Sequence, residues 1–324
     1  MKGSLMRNLF RAILLCAVVV SAQSSAFAWH DTGHMIVAQV AYMRLTPAAK
    51  AKVDMLFAPP QGTRRPLIYL CAGYYQPDTC EKIYDPITIA VWMDDFRGDS
   101  LNGTYDNWHY VDYPFFDGVP EGGKAGPESD NALARINWAI NSLREGGNTP
   151  KREAELTAFL YHLIGDIHQP LHATARVTAA HPDGDQGGNL FKIQMPQETR
   201  VTNLHAFWDA AGGAFGFQSP KRPLDQAGKD RIRTLAEAVM KDNPAESMPE
   251  ASNLDPHDWV MESYKLARDV TYKNITEGGT PSQSYTEETQ RLTRKRLALA
   301  GYRLAGVLNK LFVAEAPKPT PANK

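Results

Sequence analysis

Tyr161-His162-Leu163-Ile164-Gly165-Asp166-Ile167-His168-Gln169-Pro170-Leu171-His172 sets three histidines and one aspartate among apolar residues. The spacing predicts a helix that ends near Pro170, because proline has no N–H to continue the ladder. His162 and Asp166 are four apart, so both side chains point to one side of that helix, one turn above the other. Imidazole and carboxylate on one face form the donor set that Zn²⁺ accepts. Past the break at Pro170, His172 is free to turn back toward the same cavity. A core helix with satisfied polar residues is the plainer reading. Burying four such groups without partners costs a few kcal/mol each, however, and that favours a metal.

Outward from this stretch the pattern repeats. Asn203-Leu204-His205-Ala206-Phe207-Trp208-Asp209 carries the same His-x-x-x-Asp spacing. Further ligand-type residues stand at His34, in Trp29-His30-Asp31-Thr32-Gly33-His34, at Asp94 beside Asp95, and at His109 in Trp108-His109-Tyr110-Val111-Asp112-Tyr113. Two adjacent carboxylates at the end of a helix oppose its dipole, so one of Asp94 and Asp95 is expected to face a cation. Arg97 lies three residues beyond Asp94, on a neighbouring position of one face. His30, His168, His181 and His257 have no comparable partners and read as structural or solvent-facing.

The first 28 residues read as a leader. Lys2, Arg7 and Arg11 precede the apolar run Ala12–Val20, and Ala26-Phe27-Ala28 has the small-x-small pattern of a signal-peptidase site. The run is too short to span a bilayer. Export with cleavage after Ala28, to periplasm or medium, would make Trp29 the first residue. Its free α-amine would lose a proton near neutral pH and, with its own carbonyl, could chelate metal beside His34. Loss of three of the 35 basic residues leaves the 36 acidic ones in excess by four. A polyanion must then be met by local cations or metal, and tight duplex binding through phosphate contacts is not expected. Cys71 and Cys80 remain as a pair in an exported chain. A disulfide is the favoured reading and a two-cysteine zinc site the alternative.

Taken in order, helices are expected from a start capped by Thr32, over 47–57, 86–97, 130–145, from about Lys151 to Pro170, and over 224–241, 255–270 and 286–312. Residues 108–113 and 190–194 read as extended, joined to the rest by loops at 115–127 and the glycine-rich turn 183–189. The length and apolar content suggest one large domain or two moderate ones, mainly helical, ahead of a Pro/Ala/Lys tail.

Trp29-x4-His34, Trp92-x-Asp94, Trp108-His109, His162-x3-Asp166-x5-His172, Gly187-Gly188-Asn189 and His205-x3-Asp209 together resemble the S1/P1 nucleases, zinc-dependent and specific for single strands. The resemblance runs to Leu299-Ala300-Gly301-Tyr302-Arg303-Leu304-Ala305 in the last helix. It implies the phospholipase C/P1 nuclease-like fold, a mainly α single domain over residues 29–313 with a small β-hairpin and a flexible tail over 314–324, and three zinc ions. One would be held by Asp94, His109, His162 and Asp166. The second would take the Trp29 amine and carbonyl, His34 and the other oxygen of Asp166, and the third His172, His205 and Asp209. It implies hydrolysis of single-stranded DNA and RNA to 5′-phosphorylated products, with 3′-nucleotides as further substrates. Asp166 and Arg97 would serve the reaction, and Asp112 would support the substrate or that arginine. Tyr110 and Asn189 would hold a base. No stable protein partner is implied, and a monomer is expected. A phospholipase C on the same scaffold is the alternative, disfavoured because that relative has glutamate where Asp209 stands. A non-catalytic zinc protein is the other, and it would need closed coordination.

Overall fold

The computed structural model describes residues 29–58, 85–95, 105–122, 126–196 and 199–313, and helices carry most of them. The elements are α1 (Asp31–Met43), α2 (Pro47–Phe57), β1 (Tyr113–Phe116), α3 (Ala132–Glu145), α4 (Pro150–Asp166), β2 (Thr174–Val177), α5 (Leu204–Asp209), α6 (Gln226–Asp242), α7 (Pro256–Leu266) and α8 (Gln283–Leu311). Single turns at Trp92–Asp95, Asp106–His109 and Pro170–Ala173 punctuate them. Among the described residues no helix is long and apolar enough to cross a membrane.

Helix α4 is the axis of the molecule. Thr149 caps it by accepting the Arg152 N–H, and Pro150 sits in its first turn, where a missing donor costs nothing. Every residue from Leu156 to Ala175 is buried, so the helix has no solvent face at its metal-ligand end. A helix apolar all round must be enclosed on every side. Helices α1, α3 and α8 pack against it, and α8 and α1 also pack closely against each other. The main core joins Trp29, Trp92, Phe159, Tyr161, Trp259 and Leu304. A second core gathers Leu171, Phe191, Phe207, Trp208 and Tyr272 around α5.

The small β element differs from the hairpin expected. It is a parallel pair, β1 against β2, with Tyr113 opposite Thr174 and Phe116 opposite Val177. Parallel strands start at the same end, so the residues just before each strand are brought together. The two lead-in segments are joined by hydrogen bonds, Val111 N–H to His172 O and His172 Nδ1–H to His109 O, each at 2.7 Å, which sets His109 near His172. The expected strand at 190–194 makes only one antiparallel bridge, Lys192 with Asn203. Its backbone donors go to separate places instead: Leu190 N–H to Asp185 O, Ile193 N–H to Thr202 O and Gln194 N–H to Gly279 O.

Other boundaries moved for local reasons. Trp108 N–H bonds Tyr105 O, closing a tight turn where an extended segment was expected, so the strand begins only at Tyr113. The helix read over 86–97 is a 3₁₀ turn, Thr88–Val91, followed by Trp92–Asp95 within the described residues. Thr32 caps nothing; α1 begins at Asp31, and Thr32 is buried within it. The helix read over 255–270 ends at Leu266 and continues as a wider π turn to Thr271.

Gly301 lets α8 meet α1. A Cβ there would lie 2.5 Å from both Cβ and Cγ1 of Val40 and 3.0 Å from Val37 O. Gly301→Ala should therefore cost about 1–3 kcal/mol through overpacking, although alanine favours helix. Urea denaturation checks this, and in a double-mutant cycle with Val40→Gly, which removes both clashing atoms, the added cost of Gly301→Ala should largely disappear if the crossing is the cause.

Candidate metal centre

Eight ligand-type side chains converge beside the C-terminal half of α4, all 8 % exposed or less. His34 from α1, His162 and Asp166 from α4 form one triad, and Asp94, His109 and His162 a second that shares His162. His172, His205 and Asp209 form a third. Asp166 faces both ways: Oδ1 lies 3.3 Å from His34 Nε2, while Oδ2 lies 3.0 Å from His109 Nδ1 and 3.2 Å from His162 Nε2.

The donor atoms fit a metal better than they fit one another. His162 Nε2 and His109 Nδ1 stand 3.0 Å apart, and His205 Nε2 and His172 Nε2 3.1 Å apart. Two donors held 2.0–2.1 Å from one tetrahedral ion stand roughly 3.3–3.4 Å apart. Neither nitrogen of His34, nor Oδ1 of Asp166, makes a hydrogen bond although all are buried. The tautomers agree. Nδ1–H of His162, His172 and His205 donates to the carbonyls of Ala90, His109 and Gly187, each at 2.7 Å, which turns Nε2 inward. That backbone support is typical of ligating histidines.

The electrostatics point the same way. Burial lowers the His162 imidazole, but the Asp166 and Asp94 carboxylates outweigh it and lift it to about 9. Burial raises the Asp166 carboxyl, and the facing imidazoles of His162, His109 and His34 pull it well below the usual carboxylate range. The pocket favours positive charge.

Three glycines make the approach possible. A Cβ on Gly165 would lie 2.9 Å from His34 Nδ1, and one on Gly33 would lie 2.8 Å from Trp29 Cβ. Gly187, at φ +59°, brings its loop so near the His172 turn that a Cβ would strike Leu171 O. The glycine-rich loop thus serves a close approach of protein backbone, and its Gly187 carbonyl orients His205. Trp29 is fully buried, its indole N–H donating to Gly165 O at 2.9 Å, and His30 N–H donates to Asp209 O at 3.0 Å.

The remaining sequence-derived residues fall as follows. Tyr110 and Asp112 line a recess of about 200 Å³ with Asn107, Glu128, Asp183 and Gln186. Tyr110 donates to Asn107 Oδ1 at 2.9 Å. Burial, then the Asp185 and Glu128 carboxylates, push the Asp112 carboxyl up to about 7. Asn189 is buried, with one amide N–H on Gln186 O at 2.8 Å. Arg97, Cys71, Cys80, the leader and the tail lie outside the described residues. His168, read as structural or solvent-facing, is fully buried between Arg303 and Ile164 O.

Some residues carried no signal that reached the sequence reading. Arg222 grips both oxygens of Asp95, at 2.5 and 2.6 Å, and lies 3.5 Å from Asp31. It is one cation meeting the adjacent acids, 127 residues away. Gly165 and Gln169 lie in the decisive stretch itself, but neither is a ligand type, so spacing alone does not mark them.

A model of the S1/P1 Nuclease family matches residues 29–313, the span that holds every residue of this centre. The chain belongs to the S1/P1 nuclease family. It is a nuclease, a hydrolase of ester bonds, with several buried His/Asp groups able to hold metal. It is similar to Endonuclease 3 of Arabidopsis thaliana, 27% identical over 314 residues covering 94% of this chain and 95% of the relative. Endonuclease 1 of the same plant is 25% identical, covering 96% of each chain. Nuclease S1 of Aspergillus oryzae (strain ATCC 42149 / RIB 40) is 23% identical, covering 95% of this chain and 99% of that one. The mostly helical architecture fits this family.

Two outcomes are expected of the family member described here. In Gly165→Ala, the gain in helix propensity, about 1 kcal/mol, opposes a local clash that falls on His34. Urea stability of the metal-free chain should change little, while retained metal per chain after dialysis falls. The Asp112 carboxyl is raised from 3.8 to about 7 in the fold, so its contribution to stability is full below about pH 4 and is lost as pH climbs through 7. Asp112→Asn should match wild type in acid and exceed it at pH 8 by about 4 kcal/mol, read as the difference in melting temperature across that range.

Proposed function

We propose that this chain is an exported nuclease that holds three zinc ions and hydrolyses single-stranded DNA and RNA to 5′-phosphorylated products, acting also on 3′-nucleotides. The observation that carries the reading is the convergence of eight buried ligand side chains whose tautomers and spacings suit metal better than hydrogen bonding. Asp94, His109, His162 and Asp166 would hold one ion. His34, the second oxygen of Asp166 and the Trp29 amine and carbonyl would hold another, and His172, His205 and Asp209 the third. Zinc bound there would polarise a phosphoryl oxygen and bring the pKa of a water near neutrality.

The chain's own residues divide the remaining work. Asp166, shared between two groups, holds their separation fixed. Arg97, three residues past Asp94, would neutralise charge developing on phosphate. The recess is lined by Asp112, Glu128 and Asp183, whose carboxylates would repel phosphate and accept N–H groups, while Asp130 there is paired with Arg135. It therefore suits a nucleobase, with Tyr110 as the stacking face and the Asn189 amide at its edge. A base seated there must leave its stack, and an unpaired strand gives up little to do so. Export is supported by the leader pattern and by the buried setting of Trp29, whose amine cleavage after Ala28 would free. A Cys71–Cys80 disulfide fits that compartment.

One panel tests the whole. The processed chain, assayed on single-stranded DNA, RNA, duplex DNA, 3′-nucleotides and phosphatidylcholine, should cut single strands at least tenfold faster than duplex and lose activity in chelator. Asp166→Asn should lose zinc and turnover together. Equal rates on duplex would refute the strand preference, comparable release of phosphocholine would move the reading to lipid, and full activity after exhaustive chelation would remove the metal.

A further inference from the structure

Gln169 is fully buried and spends all its hydrogen-bonding groups on the metal centre. Its side-chain Nε2 donates to Asp209 Oδ1 at 2.7 Å, and its Oε1 accepts Leu171 N–H at 2.6 Å. Its backbone N–H donates to Asp166 O at 2.8 Å, and its carbonyl accepts His172 N–H at 3.1 Å. Each partner either belongs to a ligand or lies next to one. The Leu171 bond caps the Pro170–Ala173 turn that carries His172. The Asp209 bond joins residues 40 apart that share no element.

We propose that Gln169 is a positioning residue for the third metal group, its amide setting which oxygen of Asp209 faces the ion while its cap aims His172 at the same point. The geometry supports a division of the carboxylate. Oδ1 is taken by Gln169 and lies 3.9 Å from His172 Nε2, whereas Oδ2 stands 3.4 Å from His205 Nε2. A carboxylate held by one fixed donor has one oxygen committed and the other aimed, so the rotation that would waste both is blocked. Only a carboxamide serves both ends. The donor must face a carboxylate and the acceptor a backbone N–H, so glutamate keeps the second contact and loses the first, while methionine keeps the volume and loses both. A ligand supported in this way typically loses about 10–100-fold in metal affinity without its support.

This inference rests on the metal reading above, and zinc content separates the two. Processed wild type, Gln169→Met and Gln169→Glu are loaded with zinc at pH 8 and dialysed against graded chelator, with zinc per chain measured at each step. Wild type should hold three ions, and both variants should release one at about 10–100-fold lower chelator while keeping the other two. Loss in Gln169→Met but not in Gln169→Glu would overturn the orienting of Asp209 and leave only a cap. Variants that match wild type, or that lose all three ions together as a general weakening would, overturn the inference alone. Wild type that retains no zinc overturns it together with the metal reading.

Discussion

The structure depends on enclosing charge in the one place where it is most costly. Helix α4 is sealed on every side, yet it delivers His162 and Asp166 inward from two successive turns. Buried ionisable groups without partners cost several kcal/mol each, which a domain of ordinary stability cannot absorb many times over. Eight such groups meet here. The arrangement is tenable where a fixed neighbour holds the outer side, as the carbonyls of Ala90, His109 and Gly187 do for His162, His172 and His205, and a cation, metal or proton, meets the inner one. The tilt of His162 toward a raised pKa expresses that demand in the absence of metal.

The far side of α4 meets a matching requirement. The helix ends at Asp166, and its last carbonyls face inward, where no water can satisfy them. Ser263 Oγ donates to Ile167 O, Arg296 Nε to His168 O at 3.0 Å, and His168 Nδ1–H to Ile164 O at 2.7 Å. His168 then accepts from Arg303 at 2.9 Å, and Glu262 meets both arginines. Burial, with Arg296 and Arg303 beside it, holds His168 well below the ordinary imidazole value, so it stays neutral and acts as a relay of hydrogen bonds. Two guanidinium groups behind the C-terminal end of α4 also favour its dipole. The carboxylate presented in front is thus anchored to a helix end whose backbone is fully committed behind.

What the sequence made legible was whatever a short helix determines by itself. His162 with Asp166, and His205 with Asp209, are one turn apart whatever surrounds them, so their shared face follows from residue spacing. The mostly helical class followed from helical spacing in stretches such as 130–145 and 286–312. The parallel pairing of Tyr113–Phe116 with Thr174–Val177 had no such local mark, since each segment alone is only four residues with mixed burial. Arg222 was invisible for the same reason, as its partner acids lie far up the chain and nothing in Lys221-Arg222-Pro223 marks them out. Gln169 is different. It stood between two quoted histidines and was overlooked because a neutral amide is not itself a ligand, and its role appears only when Asp209 is seen across from it.

The acidic recess resolves an apparent conflict between charge and substrate. A mildly acidic chain that cuts a polyanion needs its attraction concentrated, and the two kinds of surface here are sharply separated. The ligand groups form a cavity whose field favours cations, whereas the neighbouring recess holds Asp112, Glu128, Asp130 and Asp183. On the proposed function, phosphate would be drawn to the first and kept out of the second, so a nucleotide bridging both would take one orientation, base in the recess and phosphate over the ligands. Because burial raises Asp112 toward 7, on that reading it would donate from a protonated oxygen to a base acceptor in mild acid and accept from a base N–H in mild base. Orientation would then be fixed by repulsion as much as by contact, the way for a weakly charged surface to handle a strongly charged substrate.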